Sequence, residues 1–209
     1  MCIRDRVESE QKTPETTQLN HNKVFSSVND FLKDKKDLQV VIDTCLGSFL
    51  GADLQMPSTE MYLANPIWLS IGHGTPASIG SYVANRKKPL IISGDGGFQM
   101  VAQAYSTMVK YNVPALIIIL DNGLYAIEQY LIDNTFFTEE KEPLEYVKLN
   151  AWNYEEFPRV FGGGIGHRAK SSSELTQLLR KWTNDKNPRP WIVACEIQPK
   201  DLPATSFGE

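Results

Sequence analysis

The sequence predicts a doubly wound α/β domain, a mainly parallel sheet with helices on both faces. Three observations predict it. Aliphatic runs at 38–43, 89–93, 114–120 and 190–197 alternate with segments of helical length. The runs are nearly all apolar, as strands buried on both faces are. Turn residues close two of them, at Gly94-Asp95-Gly96-Gly97 and Asp121-Asn122-Gly123. Alternating strands and helices imply right-handed crossovers, which put every strand's carboxyl end on one edge, where ligands of such sheets bind.

At 209 residues, 42% hydrophobic and 22% charged, the chain has the make-up of a globular protein with its own core. A net charge of −4 without a basic patch argues against nucleic acid or an anionic membrane as partner. No apolar run approaches the ~18–20 residues that span a bilayer. The N-terminus lacks a secretory apolar stretch, so a cytoplasmic protein is expected. Cys2, Cys45 and Cys195 are too scattered for a disulfide framework or a zinc site. Cys195 lies in an apolar run and reads as a small core residue. His21, His73 and His167 show no metal-ligand spacing and read as solvated or hydrogen-bonded side chains.

Residues 1–22 are polar, without periodicity, and read as an arm or linker. Within them, Met1 to Arg6 has the look of a cloning scar and is set apart from the fold. The domain is expected over 23–200, with 201–209 as a tail. Val24, Phe25, Val28, Phe31 and Leu32 recur at helical spacing over 22–34. The strand at 38–43 leads into Thr44-Cys45-Leu46-Gly47-Ser48. Glycine and hydroxyl residues there either offer backbone N–H groups to an anion or act as an ordinary cap. Met61-Tyr62-Leu63 reads as a short strand. Thr75 as N-cap and Pro76 at the first helical position start a helix that runs to Asn85. A helix from Phe98 to Tyr111 separates the two central strands. Further on, a short helix is expected over 124–132, a loop over 133–150 and a helix over 154–161. Gly162-Gly163-Gly164-Ile165-Gly166 follows a helix, so it reads as a cap and loop rather than a phosphate cradle. An edge strand at 167–170 follows. Ser171 then caps a helix carrying Leu175, Leu178, Leu179 and Trp182.

The chemistry lies in the two turns. Asp95 and Asn122 are 27 positions apart across one helix, and both fall at the carboxyl edge. A hard cation such as Mg²⁺ takes oxygen ligands, often one carboxylate with carbonyls, water and phosphate. Asp95 brings the charge, Asn122 an amide oxygen, and the following turn a backbone carbonyl. Gly94, Gly96 and Gly97 let the main chain approach a diphosphate closely and permit positive φ. The next helix points its N-terminus to the same place. Either turn alone reads as a tight turn; together they point to a metal–diphosphate site.

Gly94-Asp95-Gly96, a gap of 24 residues and then Asp121-Asn122 resemble the thiamine diphosphate motif, which is Gly-Asp-Gly, a spacer of that length and Asn-Asn. Most of 37–198 resembles the pyrophosphate-binding domain of thiamine diphosphate enzymes. The resemblance implies thiamine diphosphate and Mg²⁺, the metal held by Asp95, the Asn122 side chain and the Leu124 backbone carbonyl. Asp121 stands in place of the first Asn. Leu124 stands where many relatives have Gly, which a carbonyl ligand tolerates where no positive φ is needed. The finer pattern resembles the pyruvate and indolepyruvate decarboxylase branch. Trp68-Leu69-Ser70-Ile71-Gly72 is similar to its Trp-Gly-Ser-Ile-Gly, and Tyr125-Ala126-Ile127-Glu128 to its Tyr-Thr-Ile-Glu. This implies that Ile71 props the cofactor into its V shape, that the Leu69 carbonyl accepts from the aminopyrimidine, and that Glu128 is the active-site acid. Leu46, Gly47 and Ser48 take the place of the upstream diphosphate turn.

The implied activity is non-oxidative decarboxylation of a 2-oxo acid to an aldehyde and CO₂, with the cofactor as electron sink. In this family a separate pyrimidine-binding domain carries the activating glutamate and, in this branch, a pair of adjacent histidines. The sequence has no His-His pair. The chain is therefore expected to be part of a longer enzyme, or a subunit that pairs with another chain, in a dimer or tetramer and inactive alone. Two other readings stay open. One is an acetolactate synthase-type carboligase, which Phe98-Gln99-Met100 resembles, although that branch's Gly-Met-Val-x-Gln is absent. The other is a non-catalytic nucleotide-binding α/β module.

Overall fold

A computed structural model describes residues 18–204. The expected scar at 1–6, the arm to residue 17 and the tail from 205 lie outside the described residues. The strands are β1 (Leu38–Ile42), β2 (Tyr62–Ala64), β3 (Lys88–Gly94), β4 (Leu116–Asp121), β5 (Ile165–Ala169) and β6 (Trp191–Glu196). They form one sheet in the order β2-β1-β3-β4-β6-β5, parallel throughout. The helices are α1 (His21–Leu32), α2 (Gly74–Asn85), α3 (Asp95–Val101), α4 (Ala104–Lys110), α5 (Ala126–Ile132), α6 (Phe157–Val160) and α7 (Ser172–Asn184).

Successive strand residues point to opposite faces. Leu90, Ile92, Leu116 and Ile118 share one apolar layer with Val24 and Val28 of α1 and Leu179 and Trp182 of α7. Ile91, Ile117 and Ile119 share the other with Phe98 of α3 and Tyr105 and Met108 of α4. Each such buried side chain stabilises the fold by roughly 1.5–3 kcal/mol. Coverage on both faces is why the strands read as continuous apolar runs. No helix among the described residues is long and apolar enough to cross a membrane.

Several local expectations shift. The first helix begins at His21, and the Asn20 side chain accepts from the Lys23 N–H at 2.8 Å. Thr75 is not the cap of α2. The helix starts at Gly74, and Thr75 is wholly buried with an unpartnered hydroxyl. Gly74 instead packs against Asp43, beyond the end of β1, where a Cβ would lie 2.9 Å from the Asp43 Cβ, and the Gly74 and Gly72 N–H groups favour the charged form of that carboxyl. The expected 98–111 helix begins at Asp95 and divides in two. At Ala102 and Gln103 tighter bonds intervene, from the Tyr105 N–H to the Ala102 carbonyl and from the Ser106 N–H to the Gln103 carbonyl, both 3.1 Å. The 154–161 segment is a 3₁₀ turn followed by α6. The edge strand starts earlier, at Ile165. The glycines before it do form a cap and loop, with φ +76 at Gly162 and +102 at Gly164.

Candidate cofactor site

The winding of the sheet reverses at β1: β2 lies on one side of it and β3 on the other. Such a reversal opens a crevice at the carboxyl edge. The turns after β1, β3 and β4 meet there.

Asp95, Gly96 and Gly97 form the first turn of α3. The Asp95 Oδ1 accepts from the Gly96 N–H at 2.8 Å, and its Oδ2 accepts from the N–H groups of Asn122 at 3.1 Å and Gly123 at 2.6 Å. One carboxylate thus joins both turns. The Asn122 Oδ1 accepts from the Leu124 N–H at 3.1 Å, an Asx turn. Gly123 takes φ +74, whereas Leu124 is not among the positive-φ residues, so its place in the turn suits a side chain. The turn is held from outside by the Tyr125 N–H on the Val147 carbonyl and the Leu149 N–H on the Gly123 carbonyl, both 2.9 Å.

Asp95 is buried, and burial pushes its carboxyl up to about 7; the Gly123 and Gly96 N–H groups oppose the rise and the Asp121 charge adds to it. Among the described residues, no group of three or more His, Cys, Asp or Glu forms a metal centre. One carboxylate, one amide oxygen and a backbone carbonyl are instead a hard oxygen set, which fits Mg²⁺ and leaves positions for phosphate and water. Gly94, Gly96 and Gly97 do not use positive φ. They are needed for room. A Cβ on Gly96 would enter the Tyr125 ring, one on Gly94 would lie 3.0 Å from the Cys45 Cβ, and one on Gly97 3.0 Å from the Asp43 Oδ2.

Leu46, Ile71, Gly94, Asp95, Gly96, Gly97, Asn122 and Leu124 line one cavity of about 20 Å³, room for about one water. Gly47, Ser48, Leu69 and Glu128 do not line it. Gly47 packs against Leu120 and Phe25, and the Ser48 N–H donates to the Cys45 carbonyl at 2.9 Å. Leu69 is half-exposed at φ +50, at the glycine position of the motif it resembles. Glu128 is half-buried in the first turn of α5, and its carboxylate makes no hydrogen bond or ion pair among the described residues.

Thr44 and Cys45 of the turn after β1 and Tyr125 of the Tyr125–Glu128 match also line the cavity, as does His21, which had no local signal. The His21 Nδ1 lies 2.6 Å from the Asp201 Oδ2, and its backbone N–H donates to the same oxygen at 2.8 Å. Asp43 accepts from the Thr44 N–H and the Ser93 hydroxyl, both at 2.8 Å, and burial raises its carboxyl against these bonds. Burial, aided by the Asp43 charge, pushes the Cys45 thiol up to about 12, so it is an inert neutral group. Asp121, where the motif has Asn, meets the Arg168 Nη1 at 2.8 Å.

A parallel sheet whose switch-point crevice offers this oxygen set beside glycine-opened backbone defines a class, the metal- and diphosphate-binding α/β domains. Over residues 44–195 the chain matches the family described as thiamine pyrophosphate enzyme, C-terminal TPP binding domain, and it belongs to that family. Thiamine diphosphate, with Mg²⁺ as its usual partner, is the cofactor this implies. The chain is 27% identical over 188 residues to a pyruvate decarboxylase of Neurospora crassa, covering 88% of this chain and 31% of that protein. It is 25% identical over 202 residues to a pyruvate decarboxylase of Aspergillus terreus, covering 93% and 34%. With an alpha-keto-acid decarboxylase of Mycobacterium tuberculosis it shares 27% over 136 residues, covering 63% and 23%. The chain spans about a third or less of the length of these relatives.

Proposed function

We propose that this chain is the diphosphate-anchoring part of a non-oxidative 2-oxo acid decarboxylase that gives an aldehyde and CO₂. The observation that carries this is the Asp95 carboxylate bonded to both the Gly96 turn and the Asn122-Gly123 turn. Asp95, the Asn122 side chain and the Leu124 carbonyl hold Mg²⁺, and the metal holds the diphosphate. Gly94, Gly96 and Gly97 keep that place open. Leu46, Gly47 and Ser48 form the upstream turn, with Leu46 in the cavity wall. Ile71 and the Leu69 carbonyl orient the thiamine end. When bound, the cofactor supplies a nucleophilic carbon and an electron sink. Glu128, whose carboxylate is unpaired among the described residues, moves a proton at the reacting centre. The names of the relatives, pyruvate and alpha-keto-acid decarboxylases, support a 2-oxo acid substrate over a carboligase reading.

A cavity of about 20 Å³ cannot enclose a cofactor. We assign the remaining wall to a pyrimidine-binding domain on another segment or chain, in a cytoplasmic dimer or tetramer, and expect no turnover from this chain alone. Calorimetric titration with thiamine diphosphate tests the site. Binding is expected to need Mg²⁺ and to weaken by about tenfold or more in Asp95→Asn and Asn122→Ala. Equal binding without Mg²⁺, or preference for ATP, would reject the assignment. Steady decarboxylation of pyruvate by the chain alone would contradict its incompleteness.

A further inference from the structure

The cavity walls come from separate stretches: Thr44 after β1, Ile71 before α2, and Gly94 and Asp95 at the end of β3. One buried side chain lies against all of them. Asp43 is 1% exposed and does not line the cavity. It accepts from the Thr44 N–H beside it and from the hydroxyl of Ser93, which precedes Gly94. The backbone N–H groups of Gly74 and Gly72, which flank His73 just beyond Ile71, favour its charged form, and a Cβ on Gly74 would lie 3.2 Å from its Cγ.

The structure makes room for this carboxylate. A Cβ on Gly74 would lie 2.9 Å from the Asp43 Cβ, and one on Gly97 3.0 Å from its Oδ2. Gly72 takes φ +84, which turns the chain back toward β1. The start of α2 has no local substitute, because His73 makes no side-chain cap and the Thr75 hydroxyl is unpartnered. A buried carboxylate is tolerated only where hydrogen bonds replace water. Here the Thr44 and Ser93 bonds hold the carboxylate between the ends of β1 and β3 and against Gly74 of the Ile71 turn.

Building on the cofactor reading above, we infer that Asp43 is a positioning residue for the thiamine end of the cofactor. Its carboxylate fixes the Gly72–Gly74 turn and so keeps Ile71 in the cavity wall. The diphosphate end rests on Asp95 and Asn122, with which Asp43 shares no hydrogen bond, so the two ends can be separated by experiment.

NMR titration of the whole chain with thiamine diphosphate and, separately, inorganic pyrophosphate, each with Mg²⁺, makes the separation. In Asp43→Asn the affinity for thiamine diphosphate is expected to fall about tenfold while that for pyrophosphate stays within about twofold. Gly74→Ala leaves Asp43 in place and pushes the turn off it, so it should give the same selective loss and carries the test if Asp43→Asn does not fold. A parallel loss of both ligands, or of neither, overturns the inference. If the unaltered chain takes up pyrophosphate but not thiamine diphosphate, the inference fails and the diphosphate anchor stands. If it takes up neither, the cofactor reading itself falls.

Discussion

At Gly123 a single hydrogen atom lets the two turns meet. Its φ is +74, and no atom lies within 4 Å of where a Cβ would be. Only backbone conformation opposes a side chain there. Gly123→Ala is therefore expected to lower stability by about 1 kcal/mol. Its N–H also makes the shortest bond to Asp95, so Mg²⁺-dependent cofactor binding should weaken with it. Denaturant midpoints and calorimetry check both effects; an unchanged midpoint would show that the turn can relax to negative φ. Spacing made Asp95 and Asn122 legible in the sequence, because each closes a strand on the same edge. The role of the glycines was only half legible. Sequence cannot tell a glycine kept for φ from one kept for space, and Gly96 is kept small by Tyr125, a residue from the other turn.

At the scale of elements, Arg168 ties three of them together. From the edge strand β5 it reaches across β6 to Asp121 at the end of β4, and its Nε and Nη2 grip Glu155 at 3.1 and 3.0 Å. Burial pushes both carboxyls up. At Glu155 the two-pronged grip more than reverses this and leaves the group below its ordinary value; at Asp121 burial prevails and the group stays above it. Arg168→Ala is expected to cost about 2 kcal/mol, because two partly buried carboxylates lose their donor. Adding Asp121→Asn, which restores the family residue, should recover part of the loss. The pH dependence follows from Glu155. A carboxylate held below its unfolded value of 4.5 stabilises the fold above that pH and loses this as pH falls through its lower folded value. Acid titrations of stability should show this component in the unaltered chain and lack it in Arg168→Ala; identical acid limbs would remove Glu155 from the account. The strands were legible because burial on both faces writes an apolar run into the sequence. The start of α2 was not, because its first residue, Gly74, is set against Asp43 beyond β1 rather than capped by a neighbouring Thr.

At the scale of the whole domain, the winding reversal at β1 puts the site, both described chain ends and an apolar strip on one edge. Asp201 bonds to His21, and the Ala204 N–H donates to the Asn22 Oδ1 at 3.1 Å. The segment read as a tail thus begins inside the bonded body, and no sequence pattern marks a pair 180 positions apart. On the same approach, Ile67 and Trp68 are each 85% exposed, a few residues before Ile71. Large apolar side chains grouped in water mark a surface made to be covered. If a pyrimidine-binding domain completes the cavity beside Ile71, it should cover them. Tryptophan fluorescence can read this, because Trp182 and Trp191 are buried, Trp152 is half-buried, and Trp68 stands clear. In the isolated chain, acrylamide should quench mainly Trp68, and Trp68→Phe should remove most of the quenchable signal. In the complete enzyme the Trp68 emission should be shielded. If it is quenched as readily there, the strip stays in water, and the missing wall of the cofactor site must approach over the α5 side, where Glu128 lies.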